Sequence, residues 1–377
     1  MKKLGIYIHI PFCKQKCSYC DFISFAGKEE CIQEYIESLK KEIENFDNDN
    51  YEVDTIYIGG GTPSFIDSKN IIEILGTIRN KFNVKSNAEI TIEINPGTVN
   101  EKKLQDYVKA GINRVSIGLQ STNNKILKQI GRIHTYEEFL NTYSLARKVG
   151  IKNINVDLIL ALPEQTLEDL NTSVDNIIEL QPEHISVYSL ILEDGTLMKK
   201  LVDENKIKLP SEELEREMYW KVKEKLESSG YAHYEISNFS KKGFESKHNL
   251  NCWEQKEYIG FGLAAHSYIN NRRFCNTSNL KDYIKNIQNS NFKNNIEICE
   301  IQNEENKKKE YMLLGLRKID GVNVQEFKNK FVDNPIYLFH KELEKLVNEG
   351  LIEIDLNQIK LTNKGLDLAN LVWGEFV

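Results

Sequence analysis

No stretch of this 377-residue chain approaches the ~18 consecutive apolar residues of a membrane span. An excess of positive charge is missing as well. Lys and Arg number 49 against 56 Asp and Glu, a net charge of −7 with pI ≈ 5.7, which argues against a nucleic-acid partner. The cysteines do not form an even set. There are 7 of them in a long chain that nothing marks as small or secreted, so a disulfide framework is not expected. A signal-peptide cleavage site is lacking too. Met1-Lys2-Lys3 mimics a charged start, but the apolar run that follows breaks at His9 and Pro11. These absences predict a cytoplasmic protein without an integral membrane segment. Transient docking at a membrane stays open, although no strong basic amphipathic helix explains it.

What is present is the composition of a soluble globular protein, 40% hydrophobic and 28% charged. The length suits one large domain with a smaller one. Six β-branched runs recur in the first half: Leu4–Ile10, Thr55–Ile58, Glu89–Asn95, Arg114–Gln120, Asn153–Leu160 and His184–Leu190. Amphipathic helical patterns separate them: Glu29–Phe46, Lys69–Phe82, Glu101–Ala110, Tyr136–Val149 and Leu167–Leu180. Strands alternating with helices predict βαβ units and a parallel sheet, here an α/β fold with a partial (β/α)6 barrel.

The strands alternate internally. Ile90, Ile92 and Ile94 share one face; Thr91, Glu93 and Asn95 share the other. Val115, Ile117 and Leu119 likewise oppose Ser116, Gly118 and Gln120. Helices should cover the apolar face, leaving a polar lumen with its functional groups at the C-terminal strand ends. A single edge strand would show the same alternation, but here it recurs strand after strand. The 1–240 segment is expected to form this barrel. Residues 241–300 hold a His-containing motif and the start of an Asn- and Lys-rich connector spanning 270–309. Residues 301–377 read as a winged-helix-like α+β module. Its 11 Lys and Arg against 13 Asp and Glu give no support to a DNA role.

Chemistry concentrates at the strand ends. Cys13-x-x-x-Cys17-x-x-Cys20 follows the first strand. Three thiolates at this spacing suit an iron–sulfur cluster with one iron left open. The spacing alone also leaves zinc open, with Asp21 or His9 nearby as a fourth ligand. Gly59-Gly60-Gly61-Thr62-Pro63 ends the second strand, and its glycines let backbone approach a ligand closely, unless they merely make a tight turn. Glu93 is an inward carboxylate that needs hydrogen-bond donors. Arg132 offers a planar fork for a carboxylate. Taken singly, Arg132 and Asp157 could equally be a surface arginine and a helix cap.

Tyr7-Ile-His-Ile-Pro-Phe-Cys13 through Cys17-x-Tyr19-Cys20-Asp21-Phe22 resembles the radical S-adenosylmethionine (SAM) superfamily, and most of all its oxygen-independent coproporphyrinogen III oxidase family. Arg114-Val-Ser-Ile-Gly-Leu-Gln120, Gly131-Arg132-x-His134, His184-x-Ser-x-Tyr188 and Tyr234-Glu235-x-Ser-Asn238-Phe239 extend the likeness over almost the whole chain. The resemblance implies a [4Fe–4S] cluster on Cys13, Cys17 and Cys20. It implies SAM against Tyr7 and Tyr19, with Gly60, Gly61 and Thr62 at its methionine part. Glu93, Gln120, Arg132 and Asp157 complete the expected SAM contacts.

Within that family one group decarboxylates coproporphyrinogen III, and another binds heme and passes it to respiratory proteins. Three features resemble the chaperone group. Phe22 stands where the oxidase group has a fourth cysteine. Cys13 lies nearly at the start, where the oxidase group carries a longer leading segment. His248-Asn249-Leu-Asn-Cys252-Trp253 is similar to that group's His-Asn-x-x-Tyr-Trp motif, with Cys252 at the tyrosine position. The resemblance thus implies heme as cargo, respiratory heme proteins as acceptors and His248 as a heme contact with one exposed axial ligand, unless His248 is simply a buried, hydrogen-bonded histidine. An enzymatic coproporphyrinogen III oxidase remains the alternative.

Overall fold

The computed structural model describes residues 1–47 and 51–377. Six parallel strands form its centre: β1 Lys2–Ile10, β2 Tyr51–Gly60, β3 Asn83–Ile94, β4 Arg114–Gln120, β5 Asn153–Leu160 and β6 His184–Ser189. A hairpin, β7 Ala232–Glu235 and β8 Asn238–Ser240, pairs antiparallel with β6. Beyond β1 lie β9 Tyr258–Phe261, β10 His266–Ile269, β11 Arg272–Asn276 and β12 Ile296–Ile301. The sheet order is β12-β11-β10-β9-β1-β2-β3-β4-β5-β6-β8-β7. Among the described residues its two edge strands do not pair with each other, so the curved sheet is an open, partial barrel. No described helix is long and apolar enough to cross a membrane.

The register carries the alternation across the sheet. Ile58, Ile92, Val115 and Ile154 form one row, and Ile94, Ile117, Val156 and Ile185 the next. These residues join a core with Tyr35, Leu39, Ile71, Ile78, Leu104 and Tyr107 from the covering helices. The intervening rows are polar. Tyr57, Thr91, Arg114 and Asn153 form one; Glu93, Ser116, Asn155 and His184 form another. A polar lumen backed by an apolar, helix-covered face is therefore the observed arrangement.

The helices start where their caps demand. Thr135 and Glu138, and Thr166 and Asp169, make reciprocal capping boxes at Tyr136–Lys148 and Leu167–Leu180. The Asn- and Lys-rich stretch 270–309 holds more order than a connector. It supplies β11, β12 and the helix Leu280–Gln288, whose N-cap Asn279 accepts from Lys281 and Asp282. β11, Arg-Arg-Phe-Cys-Asn, has no β-branched residue, and β12 offers only the short alternation Ile296, Ile298 in an Asn- and Lys-rich surrounding, which hides them in the sequence.

A second apolar cluster, built on Tyr311, Phe327, Phe339, Leu343, Ile359 and Val372, fills the C-terminal module. Its ribbon Ile352–Ile354 and Gln358–Leu361 follows the helix His340–Asn348. The module docks on the β7–β8 hairpin through main-chain bonds from Ile236 to Arg317 and from Ile319 to Tyr234. Arg317 lies between two indoles, 4.4 Å from the Trp253 ring centre and 4.7 Å from that of Trp373. A desolvated cation–π contact contributes about 2 kcal/mol. Arg317→Ala is therefore expected to destabilise the fold by about 2 kcal/mol or more. Two of the protein's 3 tryptophans border Arg317, so a shift in tryptophan emission should accompany the lower thermal midpoint.

Candidate functional site

The cysteine loop is fixed from several sides. Gly61 N donates to Ile10 O at 2.9 Å and Thr62 N to Phe12 O at 2.9 Å, tying it to the glycine turn. Ser18 N and Oγ both reach Ile130 O, and Met198 N donates to Ser18 O. Gly61 must be glycine here, because a Cβ would stand 2.9 Å from Cys13 Sγ and 3.0 Å from Phe12 O. Beneath the loop opens a cavity of about 410 Å³.

This cavity gathers Cys13, Cys17 and Cys20 with Tyr19, Gly60, Gly61 and Thr62. Glu93, Gln120, Arg132 and Asp157 line it too, although they come from four different parts of the chain. Tyr7 lies outside the lining. Its ring stacks on Tyr57 and its hydroxyl meets His9 Nδ1 at 3.0 Å.

Two carboxylates sit in the lumen. Glu93 accepts from Tyr57 OH at 2.9 Å and from Gly60 N at 3.2 Å. Burial, with Asp157 nearby, pushes its carboxyl up to about 7. Asp157 accepts from Ser116 Oγ at 2.9 Å and Asn155 Nδ2 at 2.7 Å, and burial raises it as well. Arg114, only 2% exposed, is the positive charge among them. Its field opposes the upward shifts of Glu93 and Asp157, and adds to burial in holding His184 and His248 neutral.

Arg132 bridges the loop and the lumen. It donates to Asn95 Oδ1 at 2.9 Å, to Gly118 O and to Cys17 Sγ at 3.8 Å. Its buried Nε has no partner in the protein, which leaves an N–H for an anionic ligand such as a carboxylate. Gln120 ends β4 in the left-handed region at φ 72°, next to a register shift. Backbone strain of this kind clusters at binding sites.

The donor set suits a cluster better than zinc. Both ring nitrogens of His9 are engaged, with Tyr7 OH and with Ile23 O at 2.8 Å, and burial lowers its pKa to about 4. Asp21 is exposed on the rim. Among the described residues no three His, Cys, Asp or Glu side chains converge on one ion. A cluster instead takes each thiolate on a different iron. Burial raises the Cys13 thiol and pushes Cys20 up to about 11, so these sulfurs await a cation before they ionise.

His248 does not join this site. It is 6% exposed, with Nδ1 3.0 Å from Thr55 Oγ1 and its ring 5.3 Å from that of Tyr57. Glu89 sets this position, for its carboxylate accepts from the backbone N–H groups of Lys247 and His248 and anchors the helix Lys247–Trp253. The imidazole packs beside Gly5, five residues or about 16 Å down the strand from its mouth end at Ile10. The expected exposed heme contact is thus buried in the lumen. Burial likewise pushes the Cys252 thiol up to about 12. Sequence reasoning passed over Asn95, Tyr57 and Ser116. Their only signal was an inward position on a strand whose neighbours were already chosen.

The comparisons agree with this geometry. The radical SAM superfamily model matches residues 7–177, and the HemN C-terminal domain matches 303–368. A heme chaperone HemW from Lactococcus lactis is 37% identical over 376 residues, covering 100% of this chain and 98% of the relative. This chain belongs to the HemW family. HemW of Bacillus subtilis is 38% identical, with 98% of each chain covered, and HemW of Escherichia coli is 39% identical over 71% of this chain and 70% of its own. In structure, coproporphyrinogen III oxidase (HemN) from Escherichia coli superposes with a TM-score of 0.87 over 100% of this chain and 90% of that one. At 23% identity that likeness shows the radical SAM fold. Membership of the superfamily brings a [4Fe–4S] cluster and SAM as cofactors.

Glu93 gives a pH test on ligand-free protein. Its folded pKa of about 7 exceeds the ordinary 4.5, so its contribution to stability is complete below 4.5 and is lost as pH rises through 7. Glu93→Gln cannot ionise. Denaturant titrations should show the variant gaining on the wild type by roughly 3 kcal/mol between pH 4.5 and pH 8, with most of the gain before pH 7.

Proposed function

We propose that this protein binds heme and delivers it to acceptor proteins, on a scaffold carrying a [4Fe–4S] cluster and SAM. The full-length identity to curated heme chaperones carries this reading, because it spans the barrel and the C-terminal module together. Respiratory heme proteins in or at the membrane are the acceptors we assign, and the cytoplasm is the compartment.

In this reading Cys13, Cys17 and Cys20 hold the cluster. When bound, the cluster supplies an open iron for SAM and an electron for its reductive cleavage. The chain's own groups do the rest. Gly60 and Gly61 bring backbone close to the methionine part of SAM, and the free Arg132 Nε–H pairs with its carboxylate. Glu93 would accept from ribose hydroxyls, Asp157 and Gln120 would contact SAM from the same cavity wall, and Tyr19 would lie near the adenine. Tyr7 supports this wall from one layer below through Tyr57. His248 reaches heme only if the helix Lys247–Trp253 lifts off Glu89, so heme contact there requires a rearrangement.

The test uses anaerobically reconstituted protein. Hemin should bind with a saturable Soret band and pass to an apo-hemoprotein recovered separately. With reductant, SAM and coproporphyrinogen III, no protoporphyrinogen should form. Stoichiometric protoporphyrinogen would overturn the chaperone reading in favour of the oxidase.

A further inference from the structure

A closed run of hydrogen bonds joins two of the three loop cysteines, and its direction is fixed by chemistry alone. Arg132 has only donors. The Asn95 atom that faces its Nη2 at 2.9 Å must be the carbonyl oxygen. The Asn95 amide nitrogen therefore lies on the other side, 2.9 Å from Thr62 Oγ1. That nitrogen also only donates. Thr62 must accept from it, and the single hydroxyl proton of Thr62 is left for Cys13 Sγ at 3.4 Å. At the other end Arg132 Nη1 faces Cys17 Sγ.

The packing makes room for this run. A Cβ on Gly118 would lie 2.9 Å from Arg132 Nη2 and 3.3 Å from Asn95 Oδ1, and one on Gly61 would press on Cys13 Sγ. One side chain, Asn95, thus orients a donor toward each of two cysteines.

We propose that Asn95 is a positioning residue for the cluster, which aims the Thr62 hydroxyl at Cys13 and holds Arg132 at Cys17, and so raises the cluster's reduction potential. Donors to ligand sulfur stabilise the more negative, reduced cluster. This inference rests on Cys13, Cys17 and Cys20 being the cluster ligands. It involves neither heme nor an acceptor, so it stands or falls apart from heme delivery.

The experiment is a redox titration of the reconstituted, SAM-free protein, followed by electron paramagnetic resonance of the reduced cluster. Thr62→Val keeps the shape and removes the proton. It should lower the reduced-to-oxidised ratio at fixed poise about tenfold, which is ~59 mV for one electron. Thr62→Ser should restore the wild-type potential. Asn95→Asp accepts on both sides, so it keeps Arg132 but draws the Thr62 proton away from Cys13. Its added charge lowers the potential in any background, but the part that acts through Thr62 should vanish in Thr62→Val/Asn95→Asp. Asn95→Leu, which offers Thr62 no donor, gives a second route and should show the same dependence on Thr62. A wild-type potential in Thr62→Val, or Asn95 shifts of equal size with and without the Thr62 hydroxyl, would overturn the proposal.

Discussion

The lumen of this barrel is organised around one buried guanidinium. Arg114 stands on a polar row between Thr91 and Asn153, with Glu93 and Asp157 above and two histidines in reach of its field. Polar interiors are costly unless every group finds a partner. Here Ser116, Asn155, Asp157 and His184 find partners on neighbouring strands, while Arg114 Nε, Thr91 Oγ1 and Asn153 Oδ1 have none among the described residues. The register that buries isoleucine on the outer face thus also assembles most of the inner network. Ser116, Asn155 and His184 lie side by side for that reason, and His184 passes the chain on to Tyr234 at 2.7 Å. The site at the mouth is the upper end of this network.

The C-terminal module is tied to the same strands. It reaches the β7–β8 hairpin by main-chain bonds, and its Arg317 feels both Glu235 and Tyr188. Tyr188 also lines the cavity. The module is therefore continuous with the barrel wall, and the similarity to heme chaperones along the entire chain is what this continuity would require.

The strands and most of the cavity residues were legible in the sequence because alternation marks the inward positions and strand ends mark the mouth. Alternation placed Glu93, Gln120 and Asp157 inward, and the resemblance to the radical SAM superfamily singled them out as SAM contacts. Asn95 was hidden because its importance comes from Thr62 and Arg132, which lie 33 and 37 residues away along the chain. The depth of His248 was hidden for a related reason. A motif gives the residue but not its depth, and the depth is set by Glu89, 159 positions earlier. The strands β10 to β12 went unseen because they are short, four to six residues, and lie in or beside an Asn-rich segment that reads as a connector.

Gln120 shows what the mouth demands of the backbone. A non-glycine residue held at φ 72° costs on the order of 1–3 kcal/mol, and a glycine would relieve it. That replacement would also delete the only part of residue 120 that can face a ligand. The protein keeps the side chain and accepts lower heat tolerance, so a search for more thermostable variants, run without regard to binding, would count this position among its targets and would blunt the cavity.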